Sequence, residues 1–167
     1  ENTVSEKPEF VMEREFDAPR ELVWRAWTEP EFLARWYGPN VETVIHEFDL
    51  KPGGQWLHEM KMGENSHFVK IEFQEIQPPE RISWLESGVD SNWNNAPNPM
   101  MPDWPGTLST TVTFEDAGEK TNMRFVWAPH EATDAQVAAF VGAKDNLGGG
   151  WGSGFGIMDE ILAELQA

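Results

Sequence analysis

Residues 16–54 read FDAPRELVWRAWTEPEFLARWYGPNVETVIHEFDLKPGG, and a change of period inside this stretch decides the architecture. Up to Gly38 the apolar residues recur at helical spacing. Leu22, Val23, Ala26 and Trp27 make one short helix, opened by Asp17 as a cap with Pro19 close behind it, and Phe32, Leu33 and Trp36 make a second after Glu29-Pro30. Gly38-Pro39 stops it. From Val41 the period becomes two, the signature of a strand, and Lys51-Pro52-Gly53-Gly54 closes that strand with a turn.

Working outward, residues 1–8 are polar and without periodicity and are expected to be a loose tail, with residues 9–167 forming one domain. Seven strands are expected: Glu9 to Phe16, Val41 to Asp49, Gly54 to Met62, His67 to Gln77, Arg81 to Glu86, Thr107 to Phe114 and Thr121 to Trp127. Turn signals at Gly63-Glu64-Asn65, Pro78-Pro79 and Asp116-Ala117-Gly118 join neighbours into an antiparallel meander. Ser87 to Gly106 is too long and too rich in Pro and Asn for a hairpin, yet it holds Trp93, Met100, Met101 and Trp104. We read it as a lid.

The last segment, about Asp134 to Gln166, places Val137, Val141, Leu147, Trp151, Phe155, Met158, Leu162 and Leu165 on one helical face. It also carries Gly148, Gly149, Gly150, Gly152, Gly154 and Gly156. Each costs roughly 0.8–1 kcal/mol against Ala in a helix, so a kink or break is expected at Gly148 to Gly150. The spacing GGGWGSGFG superficially matches a dinucleotide fingerprint, but it lies within a helical pattern and after every strand, so no phosphate cradle is expected.

Composition narrows the partners. With 29 Asp and Glu against 12 Lys and Arg, the net charge of −17 repels phosphate backbones and anionic membranes, and no basic run compensates. Nucleic acid and membrane insertion are therefore not expected. The absence of cysteine excludes disulfides and thiol catalysis. Four histidines, His46, His58, His67 and His130, fall on different expected elements without a ligand-pair spacing, so neither a metal nor another cofactor is expected. A cytoplasmic location is the default, and a homodimer is left open.

Strand parity brings some polar groups to the concave side. If Trp56 and Met60 face inward so does His58; if Val69, Ile71 and Phe73 do, so does His67; Trp84 shares its side with Glu86. Apolar walls of Trp56, Met60, Trp84, Trp127, Trp151 and Phe155, with His58, His67, Glu86 and Thr110 as convergent polar groups, form the candidate ligand site. His58, His67 and Glu86 are also the candidates for proton transfer. An isolated histidine or carboxylate reads equally as an ordinary strand residue.

In order and spacing, Phe16, Ala18, Pro19, Val23, Trp24, Trp36, Gly38, Pro39, Asp49, Pro52, Gly53, Gly54, Pro78, Arg81, Thr121, Gly150, Trp151 and Leu162 resemble the activator-of-heat-shock-protein-ATPase-homologue-like family of the START, or SRPBCC (birch-pollen-allergen-like), superfamily. The resemblance implies an α+β helix-grip fold: a curved antiparallel sheet of about seven strands around a long C-terminal helix, with two short helices after the first strand. It implies a cavity between sheet and helix. At Gly150-Trp151 the small residue either lets the helix approach the sheet or leaves room for a ligand. The expected function is binding of a hydrophobic or aromatic small molecule. Cyclase, dehydratase or hydrolase chemistry at a pocket histidine and a chaperone-linked interaction module are the alternatives.

Overall fold

The computed structural model describes residues 8–38, 41–99 and 101–167. Nearly all of the expected N-terminal tail, Pro39 of the turn and Met100 of the expected lid lie outside these residues. The element order is β1 (Phe10–Phe16), α1 (Arg20–Thr28), α2 (Pro30–Trp36), β2 (Glu42–Phe48), β3 (Gln55–Met62), β4 (Asn65–Gln77), β5 (Arg81–Val89), β6 (Thr107–Ala117), β7 (Lys120–Pro129) and α3 (Asp134–Leu165). The strands form one antiparallel sheet in the order β1-β7-β6-β5-β4-β3-β2. This is the α+β helix-grip arrangement. The two short helices carry the chain from one edge strand, β1, to the other, β2.

Alternation along the strands sets the buried face. In β6, Leu108, Thr110, Val112 and Phe114 are buried, and in β7 Thr121, Met123, Phe125 and Trp127, while the intervening residues are more exposed. Trp27 of α1 sits at the centre of the packing, with ring centroids 4.6 Å from Trp36 and 5.9 Å from both Trp84 and Phe155. Aromatic contacts of this kind add to the area that each ring buries.

Three local expectations are corrected. Asp17 does not cap α1: Pro19 occupies the N-cap position, and no side chain bonds to the helix end there. β5 runs on to Val89 instead of ending at Glu86, which shortens the loop that follows. And α3 is unbroken from Asp134 to Leu165. A capping box at Thr133 and Gln136 fixes its start, and Phe140 and Phe155, both fully buried, anchor it on either side of Gly148 to Gly150. The helical ladder thus continues through the glycines because both flanks are held.

The glycine that permits close approach is Gly154. A Cβ there would lie 2.7 Å from the Trp36 carbonyl oxygen, so the helix touches the end of α2 with no side chain between. Arg14 adds a polar fastening. Its guanidinium donates to the Phe155 carbonyl at 2.9 Å and to both carboxylate oxygens of Asp159 at 3.0 and 2.7 Å. At Gly150, by contrast, a Cβ would meet nothing within 4 Å.

Candidate functional site

Between the sheet and the middle of α3 lies a cavity of about 610 Å³. Its wall is drawn from the turn after α2 (Tyr37, Gly38), from β3 to β7, from Ala96 to Pro99 and Trp104 to Gly106 of the loop, and from Asn146 to Gly154 of α3. Gly150 belongs to that wall. Of the two readings of the Gly150-Trp151 pair, room beneath the helix holds at Gly150, and close packing holds four residues later at Gly154.

Glu86 is the buried carboxylate on the wall. Its Oε1 accepts from the Thr110 hydroxyl at 2.9 Å, the Trp127 indole at 3.1 Å and the Trp84 indole at 3.4 Å, and its Oε2 accepts from the Tyr37 hydroxyl at 3.2 Å. All four donors are neutral, and none of the described cations pairs with it. Desolvation raises the Glu86 carboxyl above its ordinary range, and the four hydrogen bonds pull the other way without overcoming it. Only one bond is short. Tyr37, itself buried, is pushed well above the usual phenol range by desolvation and by the neighbouring carboxylate, so it serves as a hydrogen-bond donor.

His58 lies on the inner face, as strand parity gives, but deeper than the cavity wall. It is fully buried behind Tyr37 and does not reach the cavity wall. Nδ1 accepts from the Trp56 indole at 3.2 Å, which leaves Nε2 to donate to the Tyr37 carbonyl at 3.1 Å. Burial pushes the imidazole down to about 4. With both nitrogens engaged inside the protein, His58 has no lone pair to offer a substrate.

Met60, His67, Glu86, Trp127 and Trp151 stand on the cavity wall, together with Trp104 from the loop. Trp56, Trp84, Thr110 and Phe155, like His58, lie behind it in the packed interior. His67 sits at an exposed rim, its imidazole lowered by partial desolvation. It is four residues along β4 from Ile71, the register partner of Glu86, and so on the order of 13 Å from it along the strands. The two cannot exchange a proton directly. Trp93 is not on the wall: its ring packs 5.3 Å from those of His46 and Phe68. Met101 is exposed and also off the wall.

Tyr37 is the wall residue that sequence reasoning missed. It joins Glu86 across 49 positions of chain, and the only signal for it was that it is the sole tyrosine of the protein, set in the Trp-Tyr-Gly-Pro turn. Among the described residues no group of three or more His, Asp or Glu is placed to hold a metal ion, and no helix is long and apolar enough to cross a membrane.

Comparison with curated proteins finds no match. Solved structures do match in fold. A solution structure of an Arthrobacter aurescens protein superposes with a TM-score of 0.78 at 22% identity, covering 97% of this chain and 91% of that one. A crystal structure of a Mycobacterium smegmatis protein gives 0.77 at 19%, covering 95% and 93%. A crystal structure of a Nitrosomonas europaea protein gives 0.70 at 24%, covering 93% and 94%. The family model described as Activator of Hsp90 ATPase homolog 1-like protein matches residues 17–163, nearly the whole chain, and the protein belongs to that family.

Proposed function

We propose that this protein binds a hydrophobic or aromatic small molecule in the cavity between its sheet and α3. One observation carries the reading: a space of about 610 Å³, walled largely by aromatic and aliphatic side chains, has a single buried carboxylate on its surface. That volume falls in the usual range for small-molecule sites, as does the ratio of apolar wall to polar anchor. The arrangement supports binding over histidine-based catalysis, because His58 is consumed by structural hydrogen bonds and His67 is remote from Glu86.

The test is a panel of lipophilic and polycyclic aromatic compounds, read by tryptophan emission and by melting temperature. Trp127, Trp151 and Trp104 on the wall make emission a direct reporter. A compound present at 100 times its Kd stabilises the fold by about 2.7 kcal/mol, which raises Tm by roughly 5–10 °C for a chain of this size. A broad panel that moves neither signal would overturn the reading.

A further inference from the structure

We infer that the cavity selects ligands whose polar end is an organic ammonium group, which seats against Glu86 among the rings of Tyr37, Trp127 and Trp151. This rests on the reading of the cavity as a small-molecule site, and names the class of molecule it takes. Three observations carry it.

The first is charge. Glu86 is a buried carboxylate whose partners are all neutral, and no Lys or Arg stands among the described residues of the wall. In its ionised form a buried acid of this kind lacks the counter-charge that would offset its desolvation, and a cationic guest supplies it. A carboxylate guest would meet like charge. The second is the donor pattern. Two of the three groups aimed at Oε1 are indole N–H groups, which can only donate, so Oε1 is held as an acceptor. Oε2 has the Tyr37 hydroxyl alone, and retains acceptor capacity for a guest.

The third is the aromatic frame. Trp127 and Tyr37 both bond to the carboxylate, and Trp151 lies between them, with ring centroids 5.4 Å from Trp127 and 5.8 Å from Tyr37. Tyr37 and Trp127 turn their donor edges to the carboxylate, which leaves the neighbouring Trp151 as the ring to offer a face to a cation seated there, and that attraction grows as water is excluded. An alcohol could satisfy Oε2 but brings no counter-charge to the carboxylate and no cation to the rings. Burial, charge and ring geometry therefore favour the same functional group.

The experiment compares 1-naphthylmethylamine, 1-naphthylmethanol and 1-naphthoic acid, which share a ring system and differ in charge. Binding is measured by calorimetry at neutral pH with the wild-type protein and with Glu86→Gln. The amine is expected to bind at least tenfold more tightly than the alcohol, the acid to bind weakest, and the ratio of amine to alcohol affinity to collapse toward one in Glu86→Gln. Because the protein is so acidic, the wild-type comparison is repeated in 1 M NaCl. A pairing inside the cavity keeps its preference there, whereas general attraction to the surface is screened away. This arm holds even if Glu86→Gln fails to fold.

Equal binding of amine and alcohol, tightest binding of the acid, a preference that survives Glu86→Gln, or one that vanishes in salt would each overturn the ammonium assignment and leave the small-molecule reading standing. Failure of all three probes, together with a silent lipophilic panel, would overturn both.

Discussion

The imidazole of His58 and the backbone carbonyl of Tyr37 are joined by a 3.1 Å hydrogen bond that fixes the turn after α2 against β3. The same imidazole accepts from Trp56, so one side chain satisfies a buried donor and a buried acceptor. His58→Phe keeps the ring and removes both bonds. It should cost about 2–4 kcal/mol in urea denaturation, since two buried polar groups lose their partner. Ligand affinity should also fall, because Tyr37 carries its hydroxyl to Glu86 from that turn.

Acid should weaken the fold through His58. Its pKa falls from 6.5 in the unfolded chain to about 4 in the folded one, so the unfolded state binds more protons between those values. The stabilisation is complete above pH 6.5 and is lost as pH falls toward 4, about 3 kcal/mol in all. Glu86 acts with opposite sign. Its folded pKa is raised, so its contribution is present below its unfolded value of 4.5 and is lost as pH rises through the folded value. Stability profiles from pH 4 to 7.5 should therefore be shallower in a His58→Gln protein than in the wild type and steeper in Glu86→Gln. Parallel profiles in all three proteins would refute the assignment.

Two glycines in one helix should respond oppositely to the same substitution. At Gly154 a methyl group meets the Trp36 backbone oxygen, which cannot retreat without moving α2, and Gly154→Ala should cost about 1–3 kcal/mol. Gly149 is exposed, with nothing near its missing Cβ, and Gly149→Ala should gain up to about 1 kcal/mol from helix propensity alone. Thermal melts of the two variants give the comparison.

Binding and stability should separate at Gly150. A side chain there projects into open space on the cavity wall. Gly150→Leu should melt at or above the wild-type temperature, because the helix gains propensity, yet bind any cavity ligand at least tenfold more weakly. Calorimetry beside a thermal melt reads both effects. A variant that binds normally would show that ligands do not occupy the space under the helix.

Much of the fold was legible because periodicity is a local property. Two helical patterns, seven alternating runs and a final amphipathic segment appear in the sequence nearly where the elements form. Parity also placed Trp84 with Glu86 and Trp56 with His58 on the inner face. What parity cannot express is depth. Trp56, His58 and Trp84 point inward, but Tyr37 arrives from the turn after α2 and packs 4.9 Å from Trp56 and 5.2 Å from His58, standing between these two and the cavity. The unbroken α3 was hidden for a related reason: propensity sums count what glycine loses, while the anchoring by Phe140 and Phe155 depends on partners far away in sequence. The Glu86 arrangement draws on the turn after α2 and on β5, β6 and β7, and no spacing rule links four such segments.

The segment that follows β5 is held by its tryptophans on two sides and by a bridge from Asn95 to Val89. Outside the chamber, Trp93 wedges against His46 and Phe68 while Lys70 holds its carbonyl at 3.3 Å; inside, Trp104 leans on Trp127 and Phe140. Between these tryptophans, Ala96 to Pro99 forms part of the wall with the proline residues exposed. For the guest proposed above, this rim matters in one way: it is held to β5 through the Ala96 amide and the Gly88 carbonyl at 3.1 Å, so a change in it alters the wall while the sheet, the helix and the acid at the back of the room stay still.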